Sequence, residues 1–252
     1  MRLLHISTIS VSGNGENFSV SSNTNKIFTE SDINIGQDLY GIYSYTKFKA
    51  EYIILNAIIR NGLNATIYRV GNITNRYSDG VFQKNINDNA FVKRLKSFIN
   101  IGFFPEYLLE HEIEWSPVDL CAKAIIKSAN YISSCTILHI YNNNLISIKN
   151  FINLLNKLGY KLIGVNNQAM TNIISGILED NNQKNILDGI IYDLDKDKRL
   201  IYTSNIRLNS DFSVRYLRKI GFTWNKKSIK YLKKSMSYFN KINYIKPKEE
   251  NK

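Results

Sequence analysis

YGIYSYTKFKAEYIILNAIIRNGLNATIYRVGN, residues 40 to 72, is the stretch that decides the fold class of this 252-residue chain. From Tyr40 to Arg60 apolar residues recur at helical spacing, at Tyr43, Ala50, Ile54, Ala57 and Ile58. Asn61-Gly62 supplies a helix stop, because glycine takes the left-handed backbone on which helices end. Ala65 to Val70 then forms a short β-branched strand that runs into Gly71-Asn72. Upstream, Arg2 to Val11 is apolar and β-branched and opens at Ser12-Gly13-Asn14-Gly15, as a buried strand running into a loop does. Strand, helix and strand in succession make the unit of a parallel α/β sheet.

Downstream, a polar stretch from Thr74 to Asn89 precedes a helical pattern over Ala90 to Ile101. Glu114 to Val118 reads as extended, Asp119 to Asn130 as a helix opened by Asp119, and Cys135 to Tyr141 as a further strand. After Ile148 the pattern becomes helices, loops and short segments, closing on an amphipathic helix around Ser228 to Asn240 and a charged tail. Trp115 and Trp224 read as core residues. Asp193, Asp195 and Asp197 lack the spaced glycine of a calcium loop and read as a solvated turn.

The chain carries 33 basic and 21 acidic residues, a formal charge of +12. The basic residues are spread along the sequence, with one denser group at Lys226, Lys227, Lys230, Lys233 and Lys234, and they match no nucleic-acid module. Such an excess suits a solvated basic surface or an acidic partner. Cys121 and Cys135 have no metal or redox spacing and read as buried thiols of a reducing compartment. His5, His111 and His139 lie too far apart for a metal cluster, and no metal is expected. No stretch approaches the ~18 apolar residues of a membrane span, so a cytoplasmic protein is expected.

The strongest chemical signal is Tyr43-Ser44-Tyr45-Thr46-Lys47. Four residues apart on a helix, the phenol of Tyr43 and the ammonium of Lys47 project from one face. An ammonium favours the phenolate, which suits Tyr43 to giving a proton to a carbonyl under reduction. Thr8, at the end of the first strand, is placed to hold the carbonyl oxygen. The spacing alone selects nothing, since it recurs at Tyr45/Lys49, Tyr192/Lys196 and Tyr244/Lys248.

Context selects the register. His5-Ile6-Ser7-Thr8-Ile9-Ser10-Val11 resembles the strand that ends in the catalytic Ser or Thr of extended short-chain dehydrogenases, and Tyr43 through Glu51 resembles their active-site helix. Tyr68-Arg69-Val70-Gly71-Asn72 resembles the next strand end, beside the nicotinamide. Arg69 itself reads equally as a structural ion-pair partner or a catalytic group. A closer resemblance, covering nearly the whole chain to about Tyr244, is to thioester reductase domains of nonribosomal peptide synthetases and carboxylic acid reductases. It rests on Arg69 to Thr74, Gly80-Val81-Phe82-Gln83, Asn85 to Phe91, Trp115-Ser116-Pro117-Val118-Asp119, Tyr216-Leu217 and Gly221-Phe222-Thr223-Trp224.

The resemblance implies a partial Rossmann-like parallel sheet, later strands only, with a mainly helical C-terminal substrate subdomain. In residues, it implies a dinucleotide-side domain at 1–141 with a substrate-side insertion at about 74–113, a substrate subdomain at 142–245 and a tail at 246–252. It implies Thr8, Tyr43 and Lys47 as catalytic, and Tyr43, Lys47, Gly71 and Asn72 as cofactor-binding. NADPH, or NADH, would reduce a phosphopantetheine-linked thioester held by an acidic acyl or peptidyl carrier protein. Gly13-Asn14-Gly15-Glu16-Asn17-Phe18 lacks the third glycine and the following helix of a dinucleotide fingerprint, so an N-terminal phosphate-binding half is expected to come from elsewhere, in cis or in trans. Other readings are an extended short-chain dehydrogenase acting on a nucleotide sugar, and a non-enzymatic basic interaction module.

Overall fold

The computed structural model describes residues 2–13, 26–39, 41–131, 137–180, 182–200, 206–226 and 228–247. Along the chain run β1 (Leu3–Thr8), β2 (Lys26–Phe28), α1 (Ile42–Asn61), β3 (Ala65–Val70), β4 (Ile73–Thr74) and α2 (Ala90–Ile101). Then follow β5 (Phe103–Pro105), β6 (Glu112–Ile113), β7 (Ser116–Pro117), α3 (Val118–Ala129), β8 (Ile137–Ile140), β9 (Ile146–Ser147) and α4 (Ile148–Lys157). The chain closes with β10 (Ile163–Val165), α5 (Asn167–Glu179), β11 (Ile206–Leu208), α6 (Asp211–Lys219) and α7 (Ile229–Lys241). The elements divide between two compact units: one of Met1–Ile73, Val118–Asn143 and Thr203–Asn225, the other of Thr74–Pro117, Asn144–Tyr202 and Lys226–Lys252.

The first unit is built on a parallel sheet of order β1-β3-β8, the α/β arrangement expected. All six residues of β3 are buried, as befits a central strand of a parallel sheet. On one face Tyr68, Val70, Leu138 and Ile140 pack with Cys121 and Ala124 of α3 and with Leu217, Ile220, Phe222 and Trp224. Cys135, the other expected buried thiol, lies outside the described residues. β1 is shorter than the expected strand to Val11. The Thr8 side chain accepts the Ser10 N–H and turns Ile9–Ser12 into a 3₁₀ turn. α1 ends where Asn61-Gly62 predicts, with Gly62 at φ 64° donating its N–H to the last carbonyls.

The 142–245 stretch is not one body. Thr203–Asn225 returns to the sheet unit, because β11 pairs in parallel with β2 and α6 brings Leu217 into the sheet's core. In the second unit Trp115 sits edge-on to Phe91 at 5.1 Å and to Phe151 at 5.0 Å, within a core shared by α2, α4 and α7. Asp193 there holds Arg94 at 2.6 Å, while Asp195 collects the N–H groups of Asp197 and Arg199 to make a turn.

Candidate active site

Two of the residues with candidate chemistry, Thr8 and Lys47, are fixed at β1 by local rules. In β1 the side chains alternate, and the last two, Ser7 and Thr8, are buried. Thr8 caps the following turn: its hydroxyl accepts the Ser10 N–H at 3.2 Å and donates to the Ser10 Oγ at 3.1 Å. Thr8 is the register partner of Val70, so Gly71 and Asn72, which follow β3, open at the same end. The Gly71 N–H donates to the Ile140 carbonyl at 3.1 Å, and Asn72 is exposed. The C-terminal ends of parallel strands are where α/β proteins place ligands.

α1 brings Tyr43 and Lys47 in its first two turns. The Lys47 Nζ donates to the Ile6 carbonyl at 2.9 Å, tying the helix to β1 two residues before Thr8. Tyr43, one turn earlier, is 59% exposed. The competing pair Tyr45/Lys49 lies on the surface, its ammonium 5.2 Å from the centre of the phenol ring. Phe48 packs into a small core with Val11, Phe28 and Ile206.

One turn beyond Lys47 lies a buried polar cluster that sequence reasoning missed as a whole. Glu51 is the one fully buried residue of α1, and it pairs with the equally buried Arg69 of β3, Nη2 to Oε2 at 2.8 Å and Nε at 3.1 Å. Ser7 donates its hydroxyl to the same carboxylate. The guanidinium lies 4.8 Å from the centre of the Phe28 ring, and its Nη1 is 3.4 Å from Nε2 of His139. The His139 Nδ1 donates to the Asn209 carbonyl at 2.9 Å, which leaves Nε2 as the acceptor facing Arg69. Burial first, with Arg69 adding and Glu30 opposing, pushes the His139 imidazole down to about 4. The backbone N–H of His139 goes to Ser213 Oγ at 2.7 Å, and that of Ser213 to Glu30 at 2.8 Å. Arg69, open between two readings in sequence, is a structural ion-pair partner. The signal was the one charge of β3 and the one acidic residue of α1, since such groups are almost never fully buried unless paired.

Among the described residues no cluster of His, Cys, Asp and Glu could hold a metal. The second unit contains an apolar cavity of about 60 Å³ beside Phe91, Phe98 and Phe151.

The family model described as male sterility protein matches residues 1–125. Among solved structures, a thiolation–reductase di-domain from an archaeal non-ribosomal peptide synthetase is 31% identical at a TM-score of 0.77, covering 96% of this chain and 49% of that one. The terminal R domain from the myxalamid PKS-NRPS pathway gives a TM-score of 0.78 at 18% identity, covering 98% of this chain and 60% of that one. The UDP-glucuronic acid 4-epimerase of Bacillus cereus gives 0.56 at 14%, covering 96% and 60%, a likeness of fold. No curated protein matches. The chain thus spans about half to three-fifths of the length of these solved relatives. These matches, with the parallel sheet of β1, β3 and β8, support assignment of the chain to the extended short-chain dehydrogenase/reductase superfamily, of the thioester reductase type.

Proposed function

We propose that this chain carries the catalytic face of an NADPH-dependent reductase. Its substrate would be a thioester on the phosphopantetheine arm of an acidic carrier protein, taken to an aldehyde or an alcohol. One observation carries the reading: Lys47 is tied to the Ile6 carbonyl, just before Thr8, at the sheet end where Gly71 and Asn72 also open. The archaeal relative, which joins a thiolation domain to its reductase, supports the carrier-bound substrate, and the +12 charge suits an acidic carrier. The nucleotide-sugar reading has a fold likeness at 14% identity behind it and is the weaker one.

The residues present fit the nicotinamide–ribose end of a dinucleotide. Lys47 spends one donor on Ile6 and has others for ribose hydroxyls, while the turn after β3 presents Gly71 and the exposed Asn72. When bound, the cofactor supplies a hydride to the thioester carbonyl carbon. Thr8 would redirect the hydroxyl proton that Ser10 now receives toward the carbonyl oxygen. Tyr43 would give its phenolic proton to that oxygen as negative charge builds on it, and Lys47 would hold the ribose and the phenol in one frame. The hemithioacetal so formed would collapse with its hydroxyl proton returning to the Tyr43 phenolate as the C–S bond breaks, releasing the pantetheine thiolate and the aldehyde. Of the Gly13-Asn14-Gly15-Glu16-Asn17-Phe18 stretch, only Gly13 is among the described residues. No described helix is long and apolar enough to cross a membrane.

The test is single-turnover NADPH oxidation by a reductase domain in which this chain replaces the matching part of the archaeal relative. Tyr43→Phe should slow reduction of a pantetheine thioester by ~10²–10⁴-fold with cofactor affinity retained. A larger effect from Tyr45→Phe, or turnover of a nucleotide sugar instead, refutes the assignment.

A further inference from the structure

β1, β3 and β8 set a row of polar side chains across the sheet, one residue before the last of each strand. Ser7 of β1 is the register partner of Arg69 of β3, and Arg69 is the register partner of His139 of β8. Side chains at paired positions of a sheet point to one face, and these three are all buried there. The next row along is Thr8, Val70 and Ile140, and Gly71 and Asn72 follow Val70.

Glu51 closes this row from α1. Its Oε1 accepts the Ser7 hydroxyl and the Arg69 Nε at 3.2 Å, and its Oε2 accepts the Arg69 Nη2 at 2.8 Å. On the far side the Arg69 Nη1 stands 3.4 Å from the Thr29 carbonyl and 3.4 Å from Nε2 of His139. Glu51 therefore ties α1 to the residue before Thr8 and, through Arg69, to the strand that runs into Gly71. It also stands four residues after Lys47, on the same face of the helix. One carboxylate thus joins the three elements that carry Thr8, Lys47 and the turn at Gly71 and Asn72.

Stability does not account for charges at these positions. A buried ion pair must overcome the desolvation of both groups, and an apolar pair of similar volume holds a core as well or better. What a bidentate carboxylate–guanidinium pair adds is direction. The apolar contacts of Phe48 are non-directional and leave α1 free to slide. Each residue of slide moves a helix by about 1.5 Å, and a misplacement of ~1 Å at a reacting group costs on the order of 10²-fold in rate. We infer that Glu51 is the positioning residue of the candidate site. Through Ser7 and Arg69 it fixes α1 along β1, so that the Lys47 ammonium meets the Ile6 carbonyl beside Thr8. The placement rests on the geometry alone, and its consequence for rate rests on the reductase reading.

The test compares Glu51→Leu/Arg69→Met and Ser7→Ala with the parent. In the 252-residue chain, trace acetylation with acetic anhydride and mass spectrometry give the labelling of Lys47 relative to exposed Lys49. The double substitution keeps an apolar pair in place of the ions, so its urea midpoint should stay near the parent's. Lys47, released from Ile6, should nevertheless label roughly tenfold faster. Ser7→Ala leaves the ion pair in place, cuts only the tie to β1, and should raise the ratio roughly threefold. In the reductase domain used to test the proposed function, the single-turnover rate of the double variant should fall ~10–10²-fold. The amplitude, which counts folded sites, and the thioester KM should hold. The inference is overturned if Lys47 labels as in the parent in both variants, or if labelling rises while the rate per active site holds. Should the double variant not fold, the Ser7→Ala ratio decides. If the parent domain itself reduces no thioester, the reductase reading fails and the labelling ratio still decides the placement.

Discussion

β8 and β1 flank the same central strand of one parallel sheet, and the chain treats them in opposite ways. Ile137, Leu138, His139 and Ile140 of β8 are all buried, while Leu3, Leu4 and Ile6 of β1 stay 39–44% exposed. The flanking helices repeat the contrast. α3 turns Cys121, Ala124 and Ser128 into the core, whereas α1 turns in only Glu51. The candidate chemistry lies on the less buried side. The helix α1 is held to β1 and β3 by polar ties, Ser7 and Arg69 to Glu51 and Lys47 to Ile6, beside the packing of Phe48. Directional bonds can fix a helix register where an apolar interface is still open, at the cost of burying charge.

The sharpest way to break this contrast is to remove half of the buried pair. Arg69→Met leaves the Glu51 carboxylate buried without its cation, and Glu51→Leu leaves the guanidinium stranded; each should cost about 3–5 kcal/mol in urea unfolding. The double substitution should recover much of that loss, since an apolar pair of similar volume has no charge to desolvate. If either single variant unfolds like the parent, the ion pair is not what anchors α1.

Next in size is a truncation on each edge. Leu138→Ala removes a fully buried side chain from β8 and should cost about 2–5 kcal/mol. Leu4→Ala on β1 removes one already in contact with water and should cost under about 1 kcal/mol. Equal costs at the two positions would mean that β1 is covered in solution.

The third separates the two edges by pH. His139 is buried with its imidazole pushed down to about 4 from 6.5, so the unfolded chain binds more protons between those values. Stability is fully present above pH 6.5 and falls as pH drops toward 4, by roughly 3 kcal/mol for such a shift. His5 of β1 is lowered too, chiefly by burial and then by Lys47, but it is far less buried. Unfolding measured from pH 7 to 4.5 should therefore lose most of its slope in His139→Gln and little in His5→Gln. The reverse order would place the titrating group on the open edge.

Much of this arrangement was legible in the sequence, for reasons that are local. Ala65–Val70 and Ala90–Ile101 keep the bounds that β-branching and helical spacing give, and Asn61-Gly62 ends α1 where the glycine must. What was not legible depends on distant partners. β2 and β11 are three residues each and become strands only by pairing with one another from opposite ends of the chain. The return of Thr203–Asn225 to the sheet unit hangs on that pairing, and so did the domain boundary. The polar cluster spans Ser7, Glu51, Arg69, His139 and Ser213, five positions with no common periodicity. Only the oddness of charge in apolar runs hinted at it. The grouping of Thr8, Tyr43 and Lys47 follows from the resemblance of three motifs, in order, to those of a known family, which the Tyr-x-x-x-Lys spacing alone does not select.

The smallest expected effect tests α1 most directly. Ile53 and Ile59 are exposed, so replacing either by lysine removes little buried area, and surface changes of this kind stay within about 0.5 kcal/mol. Lysine is also a better helix former than isoleucine, which offsets part of any loss. Ala124→Lys on α3 has the opposite setting: the side chain is fully buried against the sheet, and an ammonium there has no partner. The chain should therefore keep its urea midpoint in Ile53→Lys and Ile59→Lys and lose it in Ala124→Lys. The two α1 variants should also stay soluble to higher concentration, because an exposed apolar helix beside an open strand edge is an aggregation surface. A marked drop in midpoint for Ile59→Lys would show that the outer face of α1 is packed within the chain itself, and the contrast between the two sides of the sheet would fail.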